Sequence, residues 1–197
     1  MHRKLIASTA IILALSGNSA VLRAGQGDTK PVTELSGLKK IAEISPRFQS
    51  YNVEMVEVTG GRFWAPYGGP KGEVYRMRPP LDLSTKRIRA LAKNLGPAFV
   101  RVSGTWANNS YIPAEGENVS AAPAGYKQVL TRDQWRGVVT FAKAVNAQLV
   151  TSFAVSDGTR GPDQVWKADQ AQRLIDLTKQ AGGKIYGAEF FNEPNIP

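Results

Sequence analysis

IRALAKNLGPAFVRVSGT, residues 88–105, runs a helix, a stop and a strand together. Ile88, Leu91, Ala92 and Leu95 recur at the i, i+3, i+4, i+7 spacing of one helix face, and Ser84 is placed to cap its start. Gly96-Pro97 ends that helix, because proline has no amide proton and its ring clashes with the preceding turn. Ala98–Val102 (AFVRV) then reads as a short, buried type of strand. A helix feeding an apolar strand is the unit of a parallel sheet, whose neighbouring strands need a crossover connection.

The unit recurs on both sides. Upstream, Phe48–Val58 (FQSYNVEMVEV) is rich in β-branched and aromatic residues and reads as a first strand, ended by Gly60-Gly61. Residues 59–83, with Gly68-Gly69-Pro70 and Pro79-Pro80, read as a long loop without regular structure. Downstream, a second long loop covers 103–130. Thr131 opens a second helix with Trp135, Val138, Val139, Ala142 and Val145 on one face, and Leu149–Val155 is a third strand. Gly161-Pro162-Asp163 is expected to start a third helix with Ala168, Ala171, Leu174, Ile175 and Thr178 inward. Gly182-Gly183 ends it before a fourth strand, Ile185–Phe191.

This β-α-β-α-β-α-β order is α/β, and both an open doubly wound sheet and half of a (β/α)8 barrel fit it. A dinucleotide fold needs a glycine-rich turn between its first strand and a helix, whereas Gly60-Gly61 leads into Arg-Phe-Trp and a long loop. Long loops after strands suit a barrel, where they build the site. The expected fold is therefore the first half, strands 1–4, of a (β/α)8 TIM barrel truncated at its C-terminus. A whole barrel takes about 250 residues, and the chain stops at Pro197, where a fourth helix is due.

The start of the chain has a different character. A basic MHRK precedes the apolar run Leu5–Leu15 and small residues through Ala24, the order of a secretory signal peptide. The expected organisation is a signal peptide over 1–24, a linker or edge strand over 25–45, and the barrel half over 46–197. Export to a secreted or periplasmic location follows, with membrane association only if the leader stays uncleaved. Removing Arg3, Lys4 and Arg23 with the leader lowers the formal charge from +9 to +6. The basic residues are spread out, which favours an acidic polysaccharide over nucleic acid as partner.

Two absences narrow the chemistry. The chain has no cysteine, and its single histidine is His2, inside the leader. Thiolate nucleophiles, zinc–thiolate sites and a Ser-His-Asp triad are excluded, so acid–base work falls to carboxylates, with no metal or cofactor expected. In a parallel barrel the site collects at the C-terminal ends of the strands. Those ends are Asn52-Val53-Glu54, Ser103-Gly104-Thr105, Ser156-Asp157 and Asn192-Glu193. Glu193 follows Phe190 and Phe191; apolar walls desolvate a carboxylate and suit it to hold a proton as a general acid. The amide of Asn192 beside it can donate to a substrate hydroxyl.

Asn-Glu-Pro at the end of a fourth strand resembles the acid/base signature of the large clan of (β/α)8 retaining glycoside hydrolases. Three stretches resemble glycoside hydrolase family 79, the heparanase and β-glucuronidase family: SPRFQSYNVE (Ser45–Glu54), IRALAKNLGPAFVRVSGT (Ile88–Thr105) and AEFFNEPN (Ala188–Asn195). The resemblance implies a catalytic role for Glu193 as general acid/base, with Asn192 on the 2-hydroxyl of the sugar. It implies that Glu54 and Thr105 hold the terminal uronic acid. Phe191 stands where the family usually has Gly, and Glu54 where Asp is more familiar; both bear on the substrate more than on the chemistry.

The implied function is retaining hydrolysis of β-linked glucuronic acid in acidic glycans or glycoconjugates. Retention needs two carboxyls about 5–5.5 Å apart, and the resemblance puts the nucleophile at the end of a seventh strand, so this chain would carry the acid/base alone. The rivals are a neutral β-glycan hydrolase of the same clan and a carbohydrate-binding barrel without a nucleophile.

Overall fold

The computed structural model describes residues 37–66 and 69–195. The expected signal peptide and most of the expected linker lie outside the described residues. The chain divides into two units, Met1–Ala42 and Glu43–Pro197, and the second contains every element below. It begins with β1 (Ser50–Glu54), α1 (Met55–Thr59), β2 (Gly61–Trp64), β3 (Tyr75–Arg78), α2 (Lys86–Asn94) and β4 (Ala98–Ser103). After these come β5 (Ser110–Tyr111), β6 (Gln128–Val129), α3 (Arg132–Ala144), β7 (Ala147–Ser152), α4 (Asp169–Gln180) and β8 (Ile185–Glu189).

β1, β4, β7 and β8 pair in that order as one parallel sheet, with the chain crossing over between neighbours. This is the mixed α/β arrangement with a parallel central sheet that the alternation predicts, and it is compatible with part of a TIM barrel. Period-2 alternation splits the sheet into two faces. Val53, Val100, Val102, Leu149 and Thr151 are buried, and the apolar ones join Trp135, Val138, Val139, Leu174 and Leu177 of α3 and α4 in the core. Each such aliphatic side chain contributes about 1.5–3 kcal/mol by leaving water. The opposite face carries Asn52, Glu54, Arg101, Ser103, Ser152 and Glu189, a polar set that apolar packing would not select.

α3 begins where Thr131 predicts. The Thr131 hydroxyl accepts from the Gln134 amide at 3.2 Å, while the Gln134 side chain accepts from the Thr131 amide at 2.9 Å, a reciprocal capping box. Its predicted inward residues are all buried. Trp135, fully buried, still satisfies its indole N–H by donating to Thr178 Oγ1 on α4 at 2.8 Å.

Elsewhere the boundaries differ from expectation. The first strand stops at Glu54, and α1 follows it where more strand was expected. Met55, Val56 and Val58 are 2%, 1% and 3% exposed; adjacent residues of a strand face opposite ways, whereas the helical turn brings all three onto one side against the core. Residues 59–83 contain a regular antiparallel hairpin, β2–β3, in register from Gly61–Arg78 to Trp64–Tyr75. The N-cap of α2 is Thr85; Ser84 instead donates its amide and hydroxyl to Asp82 Oδ1 at 2.8 and 2.6 Å. Of the expected inward face, Leu91 and Leu95 stay exposed. The third helix starts at Asp169, since residues 160–166 are spent on a bridge between Arg160 and Trp166. Leu177 lies in the core there, whereas Ala168 is exposed and Ile175 only half-buried. β8 ends at Glu189, which frees residues 190–193 to turn. Among the described residues no helix is long and apolar enough to cross a membrane.

Candidate active site

Parallel strands deliver all their C-terminal ends to one rim. Register pairs Glu54 with Ser103 and Ser152 with Glu189. The Ser103 and Ser152 hydroxyls, 2.7 Å apart, join the two halves of this row. Ser103 also donates to Glu189 Oε2 at 3.2 Å. A hydroxyl has one proton, so Ser152 is the donor between the serines and the row is polarised towards the Glu189 carboxylate.

Arg101, in the middle of β4, organises the rim. Its Nε and Nη2 donate to the two Glu189 oxygens at 2.6 and 2.7 Å, a bidentate fork. Nη2 also donates to Asn192 Oδ1 at 2.7 Å and Nη1 to Asn52 Oδ1 at 3.0 Å. Both amides thereby have their carbonyl end fixed against the guanidinium, and their NH2 ends face the carboxylates. Asn52 Nδ2 donates to Glu54 Oε1. Asn192 Nδ2 lies 3.1 Å from Glu193 Oε2 and 3.2 Å from Thr105 Oγ1.

Thr105 Oγ1 donates to Glu193 Oε2 at 2.6 Å. All four residues predicted for the site are therefore at one place: Glu54, Thr105, Asn192 and Glu193 line one cleft of about 450 Å³, with Gly104, Phe63, Trp64, Tyr75 and Trp106 as the rest of its wall. The backbone at Glu193 has φ of +49°, a left-handed conformation that a non-glycine residue adopts at a cost of roughly 1 kcal/mol. Asn108 holds the segment there. Its Nδ2 donates to the Asn192 carbonyl at 2.8 Å and its Oδ1 accepts from the Asn192 amide at 3.0 Å. The Asn108 carbonyl in turn accepts from the amides of Val155 and Ser156, which ties the loops after β4, β7 and β8 together.

Electrostatics divides the carboxylates. Burial pushes the Glu54 carboxyl above its ordinary range; Asn52 and Arg101 pull it down, and Glu57 and Glu193 add repulsion that pushes it up. Glu189 is held below the ordinary range, chiefly by its hydrogen bonds from Arg101. The aromatic setting expected for Glu193 has a different origin. Glu193 is exposed, and Phe190 packs against Trp166 and Phe191 with ring centroids 4.9 and 5.5 Å away. The apolar wall of the cleft comes from the β2–β3 hairpin and Trp106, because the chain has already left the strand at Phe190. Ser156-Asp157 is not among the residues lining this cleft; Asp157 opens a short 3-10 turn at Asp157–Thr159.

Arg101, Glu189 and Asn108 have no role in the sequence reading, and Asn52 enters it only as part of a strand end. A signal existed for the first two: one charged residue stands alone in each of AFVRV and GAEFF, and a charge inside an apolar strand requires a partner. Asn108 had none, since its function depends on a residue 84 positions away.

Gly104 explains how Glu54 reaches the cleft. Its φ is +100°, and a Cβ there would overlap Glu54 Oε2. Gly104→Ala is expected to displace Glu54 and destabilise the fold by about 2–4 kcal/mol, as left-handed strain adds to the overlap. Urea denaturation checks this; a loss under about 1 kcal/mol would mean that Glu54 moves aside freely.

No protein-family model matches the chain. It is similar to the heparanase of Mus musculus, 27% identical over 217 aligned residues covering 87% of this chain and 37% of that protein. The chain thus spans little more than a third of the length of the relative it matches, and the match supports a heparanase-like relationship at the level of a family, without pointing to one member.

Proposed function

We propose that this chain is the first half of a (β/α)8 barrel and carries the acid/base side of a retaining glycoside hydrolase. The substrate is β-linked glucuronic acid in an acidic glycan or glycoconjugate, met outside the cytoplasm. One observation carries the reading. The Glu193 carboxylate is presented in a strained backbone conformation at the mouth of a cleft, between a hydroxyl donor and an amide whose orientation an arginine fixes. Similarity to heparanase supports the glycosidase class. The half-exposed polar face of the sheet supports the barrel, whose inner wall it would form.

In this mechanism Glu193 protonates the glycosidic oxygen as the bond to C1 breaks, and a second carboxylate from another strand takes C1 as a covalent ester. Glu193 then removes a proton from water, which releases the sugar with its configuration kept. Asn192 Nδ2 donates to the 2-hydroxyl. Glu54 and Thr105 hold the remaining hydroxyls of the uronic acid, which carry protons for Glu54 to accept.

The test is turnover of 4-nitrophenyl β-D-glucuronide by the full-length protein, followed by 1H NMR of the anomeric proton. The β anomer of glucuronic acid is expected to appear first. Initial release of the α anomer overturns retention, and release of neutral sugars in preference to glucuronic acid overturns the substrate. Binding without turnover would leave a carbohydrate-binding barrel.

A further inference from the structure

The cleft does not end at its carboxylates; it continues onto the β2–β3 hairpin, which lies outside the proposed acid/base chemistry. Trp64 is 50% exposed there, an unusual state for so large an apolar side chain. The ring is not loose. Tyr75, its cross-strand partner, stacks on it at 4.7 Å and 22°, and Trp106 meets it edge-on at 6.4 Å. Phe63 in turn meets Trp106 edge-on at 5.3 Å. An indole held rigid from behind with one side in water is a platform that loses little entropy when a flat apolar surface lands on it. One face of a pyranose ring is such a surface.

The same hairpin is strongly basic. Between Gly61 and Arg78 stand Arg62, Lys71, Arg76 and Arg78 against a single acid, Glu73. Glu73 is taken by Arg76 at 3.2 Å. Arg62 lies over the Tyr75 ring at 4.6 Å and Arg78 over Phe63 at 5.5 Å, and neither forms an ion pair among the described residues. Cation–π stacking leaves most guanidinium N–H donors unused, since five are available on each. Alternation along the hairpin places Arg62 on the same side as Trp64 and Tyr75, whereas Arg78 lies on the other side with Phe63 and donates Nη2 to the Trp64 carbonyl at 3.1 Å; Arg62 is thus the cation beside the aromatic platform.

We propose that the β2–β3 hairpin is a second saccharide subsite, which stacks the neighbouring sugar of an anionic glycan on Trp64 and recognises its charge through Arg62. The proposal rests on the glycosidase reading above and adds that the enzyme binds more than one sugar unit and prefers an acidic neighbour.

Calorimetric titration of the full-length protein tests it with three probes: methyl β-D-glucuronide, a β-1,4-linked tetraglucuronic acid and its neutral counterpart cellotetraose. The tetraglucuronic acid is expected to bind tightest, and its affinity to fall with added salt. Trp64→Ala is expected to weaken the tetraglucuronic acid roughly tenfold, the usual order for a central aromatic contact, and the monosaccharide much less. Trp64→Phe should restore part of the loss, and Arg62→Gln should abolish the preference over cellotetraose, whereas Arg78→Gln, on the other side of the hairpin, should leave it in place. Equal effects of Trp64→Ala on the mono- and tetrasaccharide, or no effect on either, overturn the subsite. Equal binding of cellotetraose overturns its charge selectivity. If the wild-type protein binds no glucuronide at all, the glycosidase reading falls first, and the two failures are told apart.

Discussion

Arg101→Gln is expected to cost about a hundredfold in turnover while the fold loses only about 1–2 kcal/mol. The asymmetry follows from what the guanidinium touches. Its largest interaction is the fork on Glu189, but the two side chains are 29% and 37% exposed, so water screens much of that attraction. Its contacts with Asn192 and Asn52 carry little energy but fix the direction of two amides. Without Arg101, Asn192 is free to flip or swing, and displacing a positioning group by an ångström costs about two orders of magnitude in rate. Arg101→Lys is expected to recover some stability and little activity, because an ammonium cannot hold a carboxylate bidentately and an amide oxygen together. The pH dependence gives an independent reading. Arg101 holds Glu189 below its ordinary range, so the stabilisation is present above the unfolded-state pKa and is lost as pH falls through the lower, folded value. The stability gap between wild type and Arg101→Gln should therefore close in strong acid, below about pH 4. A gap that stays constant down to pH 2 would show that the fork contributes nothing.

What the sequence made legible was the periodic part of the fold. Thr131 to Val145 announces its cap and its face, and a row of strand-end carboxylates and hydroxyls announces the rim. Two features were hidden for physical reasons. FQSYNVEMVEV has the β-branched and aromatic content of a strand, yet Met55, Val56 and Val58 are buried together in a helical turn, a demand that comes from the core and not from composition. The hairpin escaped because each of its strands has only four residues and the intervening Pro-Gly-rich segment reads as irregular. With it went the aromatic wall of the cleft, which the sequence reading assigned to Phe190 and Phe191. The polar network had a similar limit. Arg101 and Glu189 were visible as odd charges in apolar strands, but pairing them required knowing that β4 and β8 face the same side of one sheet.

Glu193→Gln should have the largest effect of all, and its pattern is more informative than its size. Glutamine keeps the shape and still accepts from Thr105, so the fold and saccharide affinity are expected to stay near wild type. General acid–base catalysis contributes roughly 10²–10⁴-fold, and that factor should disappear with a natural glycoside, whose alkoxide leaving group must be protonated. With 4-nitrophenyl β-D-glucuronide the first step needs little acid help, because nitrophenolate is a stable anion. Nitrophenol should then appear in a burst, and the steady rate should be limited by water attacking the covalent intermediate without a base. Azide is already anionic and needs no base. Added azide is therefore expected to raise the steady rate of Glu193→Gln and to yield the β-glucuronosyl azide, with nothing comparable in the wild type. If the mutant turns over both substrates normally, or if azide gives no azido sugar, Glu193 is not the acid/base. In that case its left-handed backbone and its bond to Thr105 are features of the turn alone.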